Sequence, residues 1–319
     1  QLIKNPFLFY ATNILALRQL RDSKSKILNK SIGIALHKII EKSILLLNQQ
    51  RAVDSKSGID AIYIATLPSD RLEVALIAIN AGKHVLIEKP ITMDVSEVEQ
   101  IYAAAKAHKV LAVEAMWTRF LPQMDIARQV IANGDLGEVE LVVSNFCQAN
   151  LGVPRLYTIG GGNPIIDMGI YPLALSQQFL GNPTEIHAFG KLHHNDIDEE
   201  THTFMRFANG ARSNFVLSAR TSLPGWAGIS GPKGSISFGS PWFTPSSITI
   251  HGNGLTAAIE TWTDESGLVE HLGLVHQLNA FAQYVDQGLL EAPLYTHNES
   301  IANIDTALKI GAQIGTRFR

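Results

Sequence analysis

Two short stretches of the chain carry residue types suited to proton chemistry on an alcohol. The first is Glu88-Lys89-Pro90, directly after the apolar run His84-Val85-Leu86-Ile87. A lysine fixed at a strand end is either a surface ion-pair partner or a charge held beside a reactive oxygen, where it lowers a neighbour's pKa. Pro90 removes a backbone N–H and makes a cis peptide accessible. The second stretch is Gly160-Gly161-Gly162-Asn163-Pro164-Ile165-Ile166-Asp167-Met168-Gly169-Ile170-Tyr171-Pro172. Asp167 and Tyr171 are four apart, so a helix would place them on one face. Gly169 between them allows close approach by another backbone or a ligand. A tyrosine near an ammonium has its pKa of ~10 pulled down and becomes a usable proton donor and acceptor. The competing reading is a buried helix start in which Asp167 serves the backbone. The glycine triplet follows no clear buried strand and lacks a Lys-Ser/Thr end, so a phosphate loop has little support there.

The elements that must position these residues read clearly from residue 59 onward. Residues 59–66 are a β-branched apolar run, expected as a buried strand. Helical spacing of Leu72, Ala75, Leu76 and Ile79 predicts a helix over 71–81, stopped by Gly82. A second strand over 84–87 ends at Glu88-Lys89-Pro90. Asp94 or Ser96 is placed to cap a helix running through Ala105, and 110–113 forms a third strand. This is a parallel, doubly wound pattern, whose strand C-termini are where ligands sit. A helix over 122–133 and a strand over 138–146 follow, then a helix near 166–180. Alternating runs at 184–192, 201–207, 211–218, 234–238 and 247–251 are separated by Gly/Asn/Pro turns. The fold class is therefore α/β, a Rossmann-like domain incomplete at its N-terminus, plus an α+β domain with an open, largely antiparallel sheet. Helices over 272–287 and 301–314 close the chain. The expected division is 1–119, with 1–58 atypical and basic, and 120–319. The last helix is a candidate to pack back on the first domain.

Composition excludes several classes. Hydrophobic residues make up 46% and charged residues 17% of the 319, enough apolar material for a core and too little charge for a disordered chain. The net charge of −3 gives no general argument for a nucleic-acid partner. The single cysteine, Cys147, rules out an intrachain disulfide and points to a reducing, cytoplasmic setting. No run reaches the ~18 apolar residues that span a bilayer, so no membrane partner is expected. His193-His194, Asp196, Asp198, Glu199, Glu200 and His202 fit no standard zinc spacing and read as a polar turn; no metal is expected. Asp305 and Lys309 read as an i,i+4 pair, and Trp226, Trp242 and Trp262 as core or interface residues.

The ordered motifs resemble the Gfo/Idh/MocA oxidoreductases. The stretches that carry the resemblance are Asp60-Ala61-Ile62-Tyr63-Ile64-Ala65-Thr66, Ala81-Gly82-Lys83-His84-Val85-Leu86-Ile87-Glu88-Lys89-Pro90, Glu114-Ala115-Met116-Trp117-Thr118-Arg119-Phe120, Gly134-Asp135-Leu136-Gly137-Glu138-Val139 and residues 160–171. The Trp117 stretch and Tyr171 look most like the dihydrodiol and D-xylose dehydrogenase branch. The resemblance implies an NAD(P)-dependent dehydrogenase acting on a sugar or cyclic diol. It implies Lys89 as the catalytic lysine, Tyr171 as the proton acceptor and Asp167 as a substrate-hydroxyl or network partner. Ala65, Thr66 and Leu67 would lie along the cofactor, Glu88 and Lys89 would touch it, and Trp117 and Arg119 would line the nicotinamide and substrate pocket. The cofactor implied is NADP or NAD, and the partner is a second copy through the second-domain sheet.

One stretch departs from the resemblance. Such proteins open with a strand and a Gly-x-Gly-x-x-Gly-type turn, whose glycines let the backbone approach a pyrophosphate. The corresponding place, residues 2–14, reads Asn5-Pro6-Phe7-Leu8-Phe9-Tyr10-Ala11-Thr12-Asn13 and has no glycine. Residues 1–58 also carry a formal charge of +7 against −10 for the rest. Three explanations stand: a truncation, wrong frame or wrong exon before about Asp54; a paralogue that has lost cofactor binding; or a divergent loop in which Lys24, Lys26 or Lys30 reaches a phosphate. The expectation is weak or absent NADP(H) binding by the chain as written. A relative that keeps its cofactor for redox-neutral chemistry is a further option.

Overall fold

The computed structural model describes residues 14–16, 59–254 and 258–318. The glycine-free stretch 5–13 and the three lysines Lys24, Lys26 and Lys30 lie outside the described residues. The chain divides into two compact units, Gln1–Ala115 with Leu278–Ser300, and Met116–Gln277 with Ile301–Arg319.

The first unit is built on a four-stranded sheet in the order β1-β2-β3-β4. Strand β1 (Ile14–Ala16) runs antiparallel to β2 (Ala61–Ile64), pairing Ile14 with Ile64. An antiparallel edge strand on an otherwise parallel sheet is a common arrangement. Ile62 and Ile64 are fully buried, as expected of a strand covered on both faces. A 3-10 turn with Pro68 in its first position leads into α1 (Arg71–Asn80), which buries Ala75, Ala78 and Ile79. Strand β3 (His84–Glu88) follows, parallel to β2, with Val85, Leu86 and Ile87 fully buried. Helix α2 (Val95–His108) is capped by the Asp94 carboxylate, which accepts the Ser96 N–H at 2.8 Å, and ends where Lys109 turns left-handed. Strand β4 (Ala112–Ala115) starts two residues later than its apolar run suggests. The Val110 N–H closes α2 on the Ala105 carbonyl, and the Leu111 N–H goes to His84 Nδ1, so neither donor enters the sheet.

The second unit is an eight-stranded, largely antiparallel sheet with helices. Helix α3 (Pro122–Ala132) precedes β5 (Leu141–Cys147), and a π-helical turn, Ile165–Gly169, opens α4 (Ile170–Leu180). The remaining strands are β6 (Pro183–Leu192), β7 (Asp198–Phe207), β8 (Arg212–Ser218), β9 (Ala227–Gly231), β10 (Gly234–Phe238), β11 (Ser247–Gly252) and β12 (Ala258–Thr263). Their order is β12-β11-β10-β9-β5-β8-β7-β6, with β5 and β8 the parallel pair. Helices α5 (Leu274–Asp286) and α6 (His297–Ile314) complete the chain. Strands β9 and β12 were not expected. In β9 the glycines hide the pattern: a Cβ on Gly231 would lie 2.3 Å from the Leu136 carbonyl oxygen, so close backbone approach outweighs strand propensity. Strand β12 is an exposed edge with no buried alternation to reveal it. The turn between β6 and β7 holds His193, His194 and Asp196, whereas Asp198, Glu199, Glu200 and His202 of the same stretch lie in β7; His193 pairs with Asn195 at 3.0 Å.

Candidate active site

In the first unit, the residues of interest sit at the C-terminal ends of the parallel strands. Lys89 directly follows β3, half-buried, and the Lys89–Pro90 peptide is cis. The Glu88 carboxylate is held by the Tyr63 hydroxyl and accepts the Lys89 N–H at 3.1 Å. Ala65 and Leu67 are half-buried after β2, and Thr66 between them is buried. The Thr66 hydroxyl has no hydrogen-bond partner among the described residues. An orphaned buried hydroxyl at a strand end fits a bound polar ligand, and so fits the cofactor expected there.

Two residues that organise this end were not singled out from sequence. The buried Arg71 guanidinium donates to the Thr66 carbonyl at 3.0 Å, the Glu88 carbonyl at 2.8 Å and the Pro90 carbonyl. It ties the ends of β2 and β3 together around Lys89. The available signal was a cation in the first turn of a helix, where the dipole disfavours it. Glu114, alone among the apolar residues of β4, is buried with both carboxylate oxygens hydrogen-bonded. Burial pushes its carboxyl up to about 7, opposed by those hydrogen bonds and then by the Arg71 and Lys89 charges. A charged residue inside a buried strand was the signal for it.

In the second unit, Tyr171 is buried in the first turn of α4. Its hydroxyl accepts the Trp117 indole N–H at 2.8 Å. Phe146 and Phe243 pack against its ring, with centroids 5.5 and 6.2 Å away. Trp117 belongs to the 3-10 turn Trp117–Phe120, which also carries the buried Arg119, and its ring stacks on His271 at 5.9 Å. Asp167 pairs with Arg155 at 3.0 Å. The single-face expectation for Asp167 and Tyr171 assumed a regular α-helix. The segment opens instead as a π-helical turn that contains Asp167, with Tyr171 in the first turn of the α-helix that follows; Asp167 pairs with Arg155, and Tyr171 accepts from Trp117. Gly169 admits the Ile165 side chain rather than a ligand, since a Cβ there would meet Ile165 Cδ1 at 2.5 Å. The glycine triplet serves the loop itself. Gly160 and Gly162 adopt positive φ, and a Cβ on Gly161 would lie 2.1 Å from the Arg155 carbonyl oxygen.

The buried Asp198 carboxylate accepts the Ile165 N–H at 2.7 Å and the Thr316 hydroxyl at 3.0 Å, anchoring the start of the π-turn. Cys147 is buried, and burial pushes its thiol up, away from reactivity. Trp242 is core, whereas Trp226 is exposed on the sheet; Asp305 and Lys309 form the expected bridge at 2.7 Å. Among the described residues, no group of three or more His, Cys, Asp or Glu side chains is placed to hold a metal ion, and no helix is long and apolar enough to cross a membrane. Lys89 belongs to the first unit and Asp167, Tyr171, Trp117 and Arg119 to the second.

Residues 15–115 match the oxidoreductase family with an NAD-binding Rossmann fold, and residues 124–237 match the GFO/IDH/MocA C-terminal domain. The chain is 30% identical over 265 residues to a trans-1,2-dihydrobenzene-1,2-diol dehydrogenase of Danio rerio, covering 82% of this chain and 79% of the relative. The protein of the same name from Sus scrofa is 26% identical over 265 residues, with the same coverage. An aldose-aldose oxidoreductase structure from Caulobacter crescentus, complexed with glycerol, shares the fold at a TM-score of 0.74 and 20% identity, covering 91% of this chain and 87% of that one. With its Rossmann unit, its open-sheet unit and these relatives, the chain belongs to the Gfo/Idh/MocA family of oxidoreductases.

Proposed function

We propose that this oxidoreductase oxidises a secondary alcohol of a cyclic diol or sugar, with Tyr171 and Lys89 acting together on the hydroxyl proton. The observation that carries the reading is a buried phenol whose oxygen accepts an indole N–H at 2.8 Å. A phenolic oxygen that accepts a hydrogen bond from an indole bears negative charge more readily than one without a donor, and an ammonium would extend that effect. Tyr171 takes the hydroxyl proton, and Lys89 supplies positive charge beside the developing alkoxide. Asp167, fixed by Arg155, orients a substrate hydroxyl or the network around it. Ala65, Thr66, Leu67, Glu88 and Lys89 hold the cofactor, and Trp117 and Arg119 line the pocket beside it. NADP or NAD, when bound, supplies the hydride acceptor. Relatives bearing the dihydrodiol dehydrogenase name favour a trans-diol over an open-chain sugar.

In this reading residues 1–119 serve the cofactor and 120–319 the substrate and a second copy of the chain, in a cytoplasmic setting. The exposed Phe189 and Phe204 on the open sheet support a homodimer. A second reading, a relative that has lost cofactor binding, is favoured by the glycine-free stretch at residues 5–13. Fluorescence titration with NADPH separates the two. Micromolar affinity, followed by NADP reduction in the presence of a trans-diol, supports the dehydrogenase; no saturable binding supports the second reading.

A further inference from the structure

We propose that Glu114 is a positioning residue for Lys89: it clamps the turn that carries the lysine, and its buried charge acts on the ammonium through space. The proposal deepens the dehydrogenase reading and rests on it for the role of Lys89.

The geometry lies within the first unit. Glu114 is 1% exposed and stands in a strand whose other residues are apolar. One carboxylate oxygen accepts the Ile91 N–H at 3.0 Å, two residues beyond Lys89 and just past the cis peptide. The other accepts the Ser300 hydroxyl. Ser300 in turn accepts the Tyr102 O–H at 2.8 Å, and the Tyr102 ring stacks on His297 with centroids 3.8 Å apart. His297 Nε2 donates to the Ala112 carbonyl at 3.0 Å, closing the cluster back onto the strand that bears Glu114.

Hydrogen bonding alone does not require an acid at this position. A glutamine accepts from Ile91 and donates to Ser300 equally well. What a carboxylate adds is charge, and ionising it in a buried site has a cost. The charged and titratable groups acting on it or on its partners are few. Arg71 at the start of α1 and Lys89 after β3 favour its ionised form. The Glu114 charge in turn helps burial raise the pKa of Tyr102 on α2, and Glu291 acts on Tyr102 and His297. Burial holds His297 toward its neutral form. Arg71 already spends its donors on three backbone carbonyls. Lys89 is thus the cation whose own protonation the carboxylate is placed to govern. An ionised Glu114 keeps Lys89 as an ammonium, and a protonated one releases that hold.

The test reads Lys89 directly, without turnover. Lysines of the full chain are reductively methylated with carbon-13, and the Lys89 signal is identified by its loss in K89R. In the parent protein the Lys89 signal should show an extra inflection near neutral pH as Glu114 titrates. In E114Q that inflection should vanish and the Lys89 pKa should fall by about one unit. S300A, a milder change, removes a hydrogen bond that favours the ionised carboxylate, so it should move the inflection to higher pH. A Lys89 titration that is the same in E114Q, or in S300A should E114Q fail to fold, overturns the proposal. The two readings fail separately: undiminished turnover in K89M would overturn the catalytic role of Lys89, whereas the methyl titration alone decides the role of Glu114.

Discussion

The Trp117 indole N–H points at the Tyr171 oxygen from 2.8 Å, across 54 positions of sequence. An indole only donates, so the phenol oxygen is the acceptor in this contact. The interaction is stronger when the phenol is ionised, because a hydrogen bond to a charged oxygen is worth about twice a neutral one. Trp117 therefore acts on the acidity of Tyr171 as well as on its orientation.

Replacing Trp117 by Phe keeps the ring and removes the donor. Losing the bond costs the ionised phenol about 1.5–3 kcal/mol and the neutral phenol about half that, so the apparent pKa of Tyr171 should rise by about one unit. The rate of alcohol oxidation at neutral pH should fall about tenfold and recover at alkaline pH. A kcat–pH profile of W117F checks this, and an unshifted profile would show that the indole only fills space.

Asp198 makes stability depend on pH in a definite sense. Burial pushes its carboxyl from the ordinary 3.8 up to about 6, against the hydrogen bonds from Ile165 and Thr316. The folded state then holds this proton more tightly than the unfolded chain does. Its contribution to stability is fully present below about pH 4 and is lost as pH rises through 6, by up to about 3 kcal/mol. Asn at this position keeps an acceptor for Ile165 and does not titrate. Denaturation curves of D198N should therefore gain on the parent between pH 4 and 7, whereas parallel curves would mean the carboxylate is not buried as described.

The open sheet presents Phe189 at 59% and Phe204 at 53% exposure, their ring centroids 6.5 Å apart. A pair of stacked aromatics left in water on a sheet face is what a second subunit would cover. The double change F189E/F204E should convert a dimer to a monomer in sedimentation velocity without altering the melting temperature by more than about 2 °C. A parent protein that sediments as a monomer at high concentration removes this interface.

Much of the frame was legible because it depends on local patterns. The buried runs around Ile62 and Val85, the Asp94 cap and the Lys89–Pro90 strand end all follow from short-range spacing. What escaped depends on contacts between distant positions. Strand β9 was hidden because Gly231 answers to the Leu136 carbonyl and not to its own strand. The segment holding Asp167 opens as a π-helical turn and not a regular α-helix, anchored by an Asp198 carboxylate 33 positions from Ile165. Arg71 and Glu114 stood in the sequence as a misplaced cation and a misplaced acid, and only the fold shows that their partners are the backbone around Lys89.

The central claim is that Tyr171 and Lys89 work as one unit, and a double-mutant cycle on turnover measures that. Y171F, K89M and the double variant are compared with the parent in kcat for diol oxidation, with NADPH affinity measured alongside. Y171F alone should lose about 100- to 10,000-fold in kcat while still binding nucleotide. The double variant should lose no more than about threefold beyond the worse single change, as expected when either deletion disables the same proton transfer. Losses that multiply, or a Y171F enzyme that turns over normally, would contradict the account.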